Sequence, residues 1–266
     1  MKSGDMQYDL TAEVEIIRVR DLEKDKGTDR VVLETPLTIF LNDTEYITLI
    51  CSPDSLDCLA VGFLRSEGLI KRAADLEKID VDAEKGLVYV KTAVQGDLLN
   101  KLYGKKVITS GGGKGSLYFK AFDSLRSKQI ESSLQVEAGD ILKLVGALED
   151  RGLLFKSTGG VHSAALADSN KILFYNEDIG RHNAVDKIVG QCILKEISLE
   201  DKILLSSGRI SSEVVIKVAK LGLPFIVSRS APTSLAVELA RETGITLVGF
   251  ARGKRLNIYS HTGRIN

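Results

Sequence analysis

The sequence predicts an α/β protein with a β-rich N-terminal part, and three observations support that prediction. The first half of the chain contains short segments in which apolar and polar residues alternate, as they do in half-buried strands. The second half alternates short apolar segments with segments whose apolar residues recur at helical spacing. A glycine-rich segment, residues 109–116 (TSGGGKGS), lies between the two halves. The alternation of strands and helices indicates a layered domain around a largely parallel sheet.

The first predicted elements are strands. Residues 12–19 alternate charged and apolar side chains, and residues 37–41 and 46–50 form short apolar segments. Asn42 and Asp43 separate the second and third segments, and both residue types are common in tight turns. We therefore expect a β-hairpin at this point.

A helix is predicted to follow the hairpin. Apolar residues recur at helical spacing over residues 56–64, and either Asp54 or Ser55 can cap the first turn. Gly68 stands where a C-terminal glycine is expected. A further strand pair is predicted around Gly86.

The second half contains ten predicted elements. Helices are predicted over residues 141–148, 183–195, 211–221 and 233–242. Strands are predicted over residues 163–167, 171–175, 203–206, 224–227 and 245–250, with an edge strand over residues 256–259.

The glycine-rich segment sets the predicted division into domains. So many glycines cannot stay in a regular element without a large cost in conformational entropy, so we interpret the segment as a loop. We expect a β-rich N-terminal subdomain over residues 1–108, a glycine-rich loop and connector over residues 109–130, and an α/β domain over residues 131–266.

The composition excludes several classes of protein. Lys+Arg and Asp+Glu both number 36, so there is no general reason to expect nucleic-acid binding. No run of about 18 apolar residues predicts a membrane span, and the polar N-terminus does not resemble a secretory signal. We therefore expect a cytoplasmic protein. The three cysteines show neither a disulfide framework nor thiolate zinc spacing, and no metal site is predicted.

Four polar stretches lie beside predicted strands: residues 158–162 (TGGVH), 177–183 (EDIGRHN), 206–213 (SSGRISSE) and 228–233 (SRSAPT). Each combines small residues, hydroxyls and cations near a helix start, which is typical of anion-binding turns. Ligands of open α/β sheets bind beyond the carboxyl ends of the strands. The sequence therefore predicts a phosphate-bearing ligand, with bidentate contacts available from Arg181, Arg209, Arg229 and Arg252.

Other interpretations of these stretches stay open. Serine and threonine at helix starts usually act only as N-caps. His162 and His182 lie in polar, glycine-containing loops, where they can serve as structural groups, metal ligands, acid/base groups or phosphate contacts.

The same stretches resemble the FdhD/NarQ family. The N-terminal resemblance lies in residues 34–37 (ETPL), 52–54 (SPD) and 59–64 (LAVGFL). The C-terminal resemblance includes residues 177–187 (EDIGRHNAVDK), which form a long and highly specific motif, and residues 249–252 (GFAR). The resemblance extends over about residues 31–259.

The resemblance implies a fold and a function. Members of the family have a cytidine-deaminase-like, three-layer α/β domain and usually form homodimers. They bind a molybdenum bis(molybdopterin guanine dinucleotide) cofactor as cargo, for which GDP is a surrogate, and they transfer sulfur from a cysteine desulfurase to it before it enters formate dehydrogenase. The implied cofactor-binding residues are Phe250, Ala251, Arg252, Gly253, Lys254 and Arg255, together with His162, Arg181, His182, Arg209, Ser230 and Thr233.

The glycine-rich segment departs from the family pattern. Family members hold the transferred sulfur as a persulfide on a loop cysteine, and here Gly111 or Gly112 stands at the expected position. Glycine cannot carry a persulfide, because the transfer needs a thiolate. Two functions stay open: a sulfurtransferase that uses another thiol, for which Cys58 is the candidate, or a cofactor-binding chaperone without sulfurtransferase activity. A deaminase is disfavoured, because no HxE paired with PCxxC occurs.

Overall fold

The protein contains two larger β-sheets, one of four strands and one of six. The computed structural model describes residues 9–93, 107–108, 114–115 and 129–266. The expected persulfide position, Gly111 or Gly112, lies outside the described residues.

The N-terminal half forms a long hairpin and a four-stranded sheet. Its strands are β1 (Thr11–Arg20), β2 (Glu23–Val32), β3 (Thr35–Leu41), β4 (Thr44–Cys51), β5 (Leu76–Asp82) and β6 (Leu87–Thr92). Strands β1 and β2 pair with each other, and the second sheet has the order β4-β3-β6-β5. The predicted hairpin at Asn42 and Asp43 is confirmed, since β3 and β4 pair antiparallel and both turn residues have positive φ. Two short strands, β7 (Val107–Ile108) and β8 (Lys114–Gly115), also pair antiparallel.

Helix α1 (Leu56–Glu67) packs on the four-stranded sheet through buried residues such as Leu37, Leu59 and Val88. It ends at Gly68 in a left-handed conformation, as predicted. Ser55, one of the two predicted N-cap residues, occupies the N-cap position, but its side chain does not cap the helix. Ser55 is itself left-handed, with φ 51°, and makes no capping hydrogen bond. Its hydroxyl donates instead to the Asp54 carboxylate at 3.1 Å.

The C-terminal half forms a six-stranded sheet with helices on both faces. Its strands are β9 (His162–Ala167), β10 (Ile172–Asp178), β11 (Ile203–Ser206), β12 (Phe225–Ser228), β13 (Thr246–Arg252) and β14 (Arg255–Ser260). Its helices are α2 (Ala138–Arg151), α3 (Leu153–Thr158), α4 (Arg181–Leu194), α5 (Ser212–Leu221) and α6 (Ser234–Thr243). No helix within the described ranges is long and apolar enough to cross a membrane.

The sheet has the order β10-β9-β11-β12-β13-β14. Only the β11–β12 and β12–β13 pairs are parallel. The prediction of a largely parallel sheet is therefore wrong. Short connections explain two of the three antiparallel pairs, because β9–β10 and β13–β14 are joined by turns that permit only antiparallel pairing. The third, β9–β11, follows because β10 returns the chain to the edge of the sheet at which β9 began.

The sheet is buried on both faces. Ala165 and Ala167 of β9 pack toward α2, whereas Ala164 and Leu166 pack toward α4, α5 and α6. This arrangement explains why the central strands β11 (ILLS) and β12 (FIVS) are buried at every position rather than at alternate ones. The predicted fold class, a three-layer α/β domain with a β-rich N-terminal part, is confirmed.

Helices α1 and α4 join the two halves at a close crossing. A Cβ added to Gly62 of α1 would lie 1.8 Å from the Asp186 carbonyl oxygen. A Cβ added to Gly190 of α4 would lie 1.9 Å from the Cys58 carbonyl oxygen. Each helix therefore uses a glycine to admit the backbone of the other. The exact division at residues 108 and 130 stays a prediction.

Candidate functional site

Five loops meet at one edge of the six-stranded sheet. Strands β11, β12 and β13 are parallel, so the loops that follow them leave from the same edge. Strand β9 runs antiparallel to β11 and pairs Ala164 with Ser206, which brings His162 at its start to this edge. Strand β10 runs antiparallel to β9 and brings Asp178 at its end to the same place. The four polar stretches therefore converge, together with the β13–β14 turn.

A hollow of about 250 Å³ opens among these loops. Its walls are formed by Ser207, Arg229, Ser230, Phe250 and Arg252. Three of these residues, Ser230, Phe250 and Arg252, belong to the predicted cofactor site. Two guanidinium groups and an aromatic ring around one hollow suit an anionic ligand with a flat ring.

Most hydroxyls near the hollow connect the loops to one another. Ser207 Oγ accepts from the Ser163 backbone N–H at 2.9 Å, and Ser228 Oγ donates to the Gly208 carbonyl at 2.7 Å. Thr233 Oγ1 accepts from the Ala236 N–H at 3.3 Å and caps α6. These hydroxyls therefore position the loops that surround the hollow.

A second cluster, of two histidines and two arginines, lies around Gly208. A Cβ added to Gly208 would lie 3.1 Å from Arg181 Cβ and 3.6 Å from His162 Nδ1. Burial, and then the charges of Arg181 and Arg209, lower the pKa of His162. His162, Arg181, His182 and Arg209 are thus neighbours, as the predicted site requires.

His182 is held between two side chains of the β11–α5 loop and α5. Its Nδ1 lies 3.2 Å from Glu213 Oε2, and its Nε2 lies 3.4 Å from Ser211 Oγ. Burial, and then the charges of Lys217 and Arg181, lower the pKa of His182 to about 3. The ring is therefore neutral at pH 7, and its contact with Glu213 is a hydrogen bond from Nδ1–H to a carboxylate rather than an ion pair.

A fully buried ion pair fixes the β10–α4 turn. Lys187 Nζ lies 2.7 Å from Asp178 Oδ2, and both side chains have 0% exposure. The same carboxylate accepts from the backbone N–H groups of Ser52 and Gly180 and from the Asn183 amide. This network ties the end of β4 to the turn that carries Arg181 and His182. Helical periodicity does not predict this pair, because Lys187 lies nearly opposite the apolar face formed by Val185, Ile188, Val189 and Cys192.

The β13–β14 turn holds the other predicted ligand residues. Phe250 has φ 52°, a left-handed conformation that bulky side chains rarely adopt. Arg252, Gly253, Lys254 and Arg255 are exposed beyond the edge of the sheet. Ala251 differs, because its side chain is fully buried beneath α2 and can offer a ligand only its backbone.

All three cysteines of the chain are buried. Burial raises the pKa of Cys51 and of Cys192 to about 12. Burial, and then the charge of Asp57, raise the pKa of Cys58 well above its usual value. None of the three is a thiolate at neutral pH, so none is suited to nucleophilic sulfur transfer in this conformation.

Comparisons with known proteins agree with this architecture. The model of the FdhD/NarQ family matches residues 32–266. The chain is 43% identical over 237 residues to the sulfur carrier protein FdhD of Geobacillus kaustophilus (strain HTA426), covering 89% of this chain and 90% of the relative. It is 41% identical over 260 residues to the protein of the same name from Bacillus subtilis (strain 168), covering 98% and 99%.

A solved structure extends the likeness to three dimensions. The crystal structure of a formate dehydrogenase accessory protein from Desulfotalea psychrophila superposes with a TM-score of 0.80 at 27% sequence identity. The match covers 97% of this chain and 100% of that one. The sequence motifs, the fold and the relatives lead to one conclusion: this chain belongs to the FdhD/NarQ family.

Proposed function

We propose that this protein is an accessory protein of formate dehydrogenase that binds the molybdenum bis(molybdopterin guanine dinucleotide) cofactor as cargo. The observation that supports this most strongly is the hollow at the sheet edge, where Arg229 and Arg252 flank Ser230 and Phe250. Guanidinium groups bind diphosphates through paired N–H donors, and an aromatic ring offers a stacking face.

The surrounding charge supports an anionic ligand. Arg181 and Arg209 lie close enough that Arg209, after burial, lowers the pKa of Arg181. The charge of Glu213 acts on Arg181 in the opposite direction and partly balances the two guanidinium groups. A ligand with several phosphates can accept hydrogen bonds from both arginines, and the two neutral histidines can donate or accept hydrogen bonds beside it.

The burial of the cysteines favours a protein that carries the cofactor but forms no persulfide of its own. A glycine stands at the expected persulfide position, and all three cysteines are buried with raised pKa values. Cys58, the alternative thiol, is only 8% exposed. We therefore favour the chaperone alternative, in which this chain holds the cofactor and sulfur is supplied without a covalent intermediate on this chain.

GDP binding tests the proposed site. GDP should raise the Tm of the wild-type protein, because a ligand that binds only the folded state stabilises it by mass action. Arg252→Ala should weaken GDP binding roughly tenfold or more, since a hydrogen bond to a charged group is lost. Titration calorimetry measures the affinity, and the exposed Arg20→Ala serves as the matched control. A wild-type protein whose Tm does not respond to GDP contradicts the proposal.

The partners follow from the proposed function. We propose formate dehydrogenase as the recipient of the cofactor, a cysteine desulfurase as the sulfur source, and a homodimer as the working state. Native mass spectrometry of the protein from a host that makes the cofactor tests these proposals, because it reports the subunit number and the bound mass together. A monomer that carries no ligand would count against the dimer and the cargo.

A further inference from the structure

A second hollow, of about 190 Å³, opens beside the first. The two hollows adjoin, because Ser207 and Arg229 contribute to the walls of both. Each is smaller than the roughly 300–1,000 Å³ of ordinary ligand pockets. A nucleotide-sized ligand at this edge of the sheet would therefore occupy both.

One wall of the second hollow is apolar and fixed. Leu148 of α2 and Phe155 of α3 line it, and the Phe155 side chain is 47% exposed. The backbone N–H groups of Leu154 and Phe155 donate to the Glu177 carboxylate at 3.1 and 2.9 Å. These bonds anchor α3 to the end of β10. An exposed aromatic ring on an anchored backbone is a stacking face for a flat heteroaromatic ring.

Glu149 places a carboxylate in the same hollow. Its Oε1 lies 2.6 Å from Arg229 Nε, and the two side chains are 40% and 37% exposed. A carboxylate offers about four acceptor positions, so the contact with Arg229 leaves acceptor capacity toward the hollow. Two adjacent N–H donors on the edge of a ring match the two oxygens of a carboxylate.

We propose that the second hollow is a ring subsite in which Glu149 selects for an edge that presents a ring N–H beside an exocyclic amino group. Guanine and the pterin ring both carry this edge, so the same chemistry serves either end of the cofactor. The inference rests on the proposed function, because phosphates in the first hollow bring the ring to the second. Arg229 lies between the two hollows, where it can contact a phosphate and orient the carboxylate.

Titration calorimetry of the full-length protein with GDP and inosine diphosphate (IDP) tests the selection. IDP lacks only the exocyclic amino group. Wild-type protein should bind GDP roughly tenfold or more tightly than IDP, because IDP leaves a charged acceptor unpaired. Glu149→Gln should bind GDP and IDP with similar affinities. The exposed Glu77→Gln is the matched control and should keep the wild-type ratio.

Phe155→Ala separates stacking from selection. It should weaken GDP and IDP by the same factor, since stacking does not depend on the edge of the ring. If wild-type protein binds GDP and IDP equally, or if Glu149→Gln keeps the preference, this inference is overturned while the proposed function stands. Failure of wild-type protein to bind GDP at all overturns the proposed function itself.

Competition identifies which ring is bound. Guanosine and free pterin are each titrated against protein loaded with GDP, and pyrophosphate serves as the competitor for the first hollow. Displacement by guanosine alone assigns the subsite to the guanine base, and displacement by pterin shows that it also accepts the pterin. If only pyrophosphate displaces GDP, the second hollow is not a ring subsite.

Discussion

The environment of His182 makes the folded protein sensitive to acid. The ring is neutral because burial, with Lys217 and Arg181 nearby, lowers its pKa to about 3. In the unfolded chain the same histidine has a pKa of about 6.5. Between these two values the unfolded state binds a proton that the folded state excludes. Stability is therefore lost as the pH falls from about 6.5 toward 3.

Replacement of His182 should flatten this pH dependence. Each pH unit below the unfolded pKa costs up to about 1.4 kcal/mol, so wild-type protein should lose about 2 kcal/mol more than His182→Gln between pH 7 and pH 5. Urea unfolding followed by circular dichroism at the two pH values measures the difference. His261→Gln, which removes a histidine far from the site, is the control. If the free energy of unfolding depends on pH in the same way for wild-type protein and His182→Gln, His182 does not have a lowered pKa in the folded state.

Candidate ligand residues could be predicted from local sequence, whereas residues that act through tertiary contacts could not. Arg252 and Ser230 were predicted as ligand residues from the charged and small residues at strand ends, and both line the first hollow. The sequence did not separate Thr233, which caps a helix, from ligand contacts. It also missed Asp178 and Lys187, since a buried ion pair depends on two elements meeting in space. Short-range pattern carries no information about such pairs.

The crossing of α1 and α4 is the element-scale feature that joins the two halves. Gly62→Ala would place a methyl group 1.8 Å from the Asp186 carbonyl oxygen, which forces the helices apart. We expect a loss of about 2 kcal/mol or more in the free energy of unfolding, as for other overpacked sites. Chemical denaturation provides the measurement.

Gly146→Ala in α2 is the matched control for the crossing. An added Cβ there meets nothing within 4 Å, so the substitution should stabilise the helix by about 0.5–1 kcal/mol. Gly190→Ala acts on the same crossing from α4, so the double variant with Gly62→Ala should lose less than the sum of the single losses. If the losses in the free energy of unfolding are additive, or if Gly62→Ala does not change it, the close crossing of α1 and α4 does not stabilise the protein.

Most elements were predicted from local pattern, but the short helix α3, strand β2 and the order of the strands were not. Strand β11 was predicted at its observed bounds because its apolar run is short and sharply delimited. Strand β2 was missed because its sequence, EKDKGTDRVV, is largely polar, and its strand conformation comes from pairing with β1. The position of β9 between β10 and β11 also depends on pairing. Pairing between distant segments does not follow from the periodicity of either one.

At the scale of the whole molecule, the two halves are connected through the residues that frame the site. The end of β4 contributes Ser52, whose backbone N–H donates to Asp178 at 3.1 Å and whose hydroxyl accepts from Ile179. The N-terminal sheet thereby supports the β10–α4 turn at the edge where the loops converge. A cofactor bound at that edge would rest on a framework drawn from both halves, while the three thiols are buried.

The burial of the three thiols predicts which variants of the protein can carry a persulfide. Wild-type protein incubated with a cysteine desulfurase and cysteine should gain no mass, because its thiols are buried and protonated. Gly111→Cys or Gly112→Cys should gain the mass of one sulfur atom, since either change places a thiol at the position where the family resemblance leads us to expect the persulfide. Intact-protein mass spectrometry with and without reductant measures the gain, and Cys58→Ala is the control. A persulfide on wild-type protein that disappears in Cys58→Ala would instead establish Cys58 as the carrier and reject the chaperone interpretation.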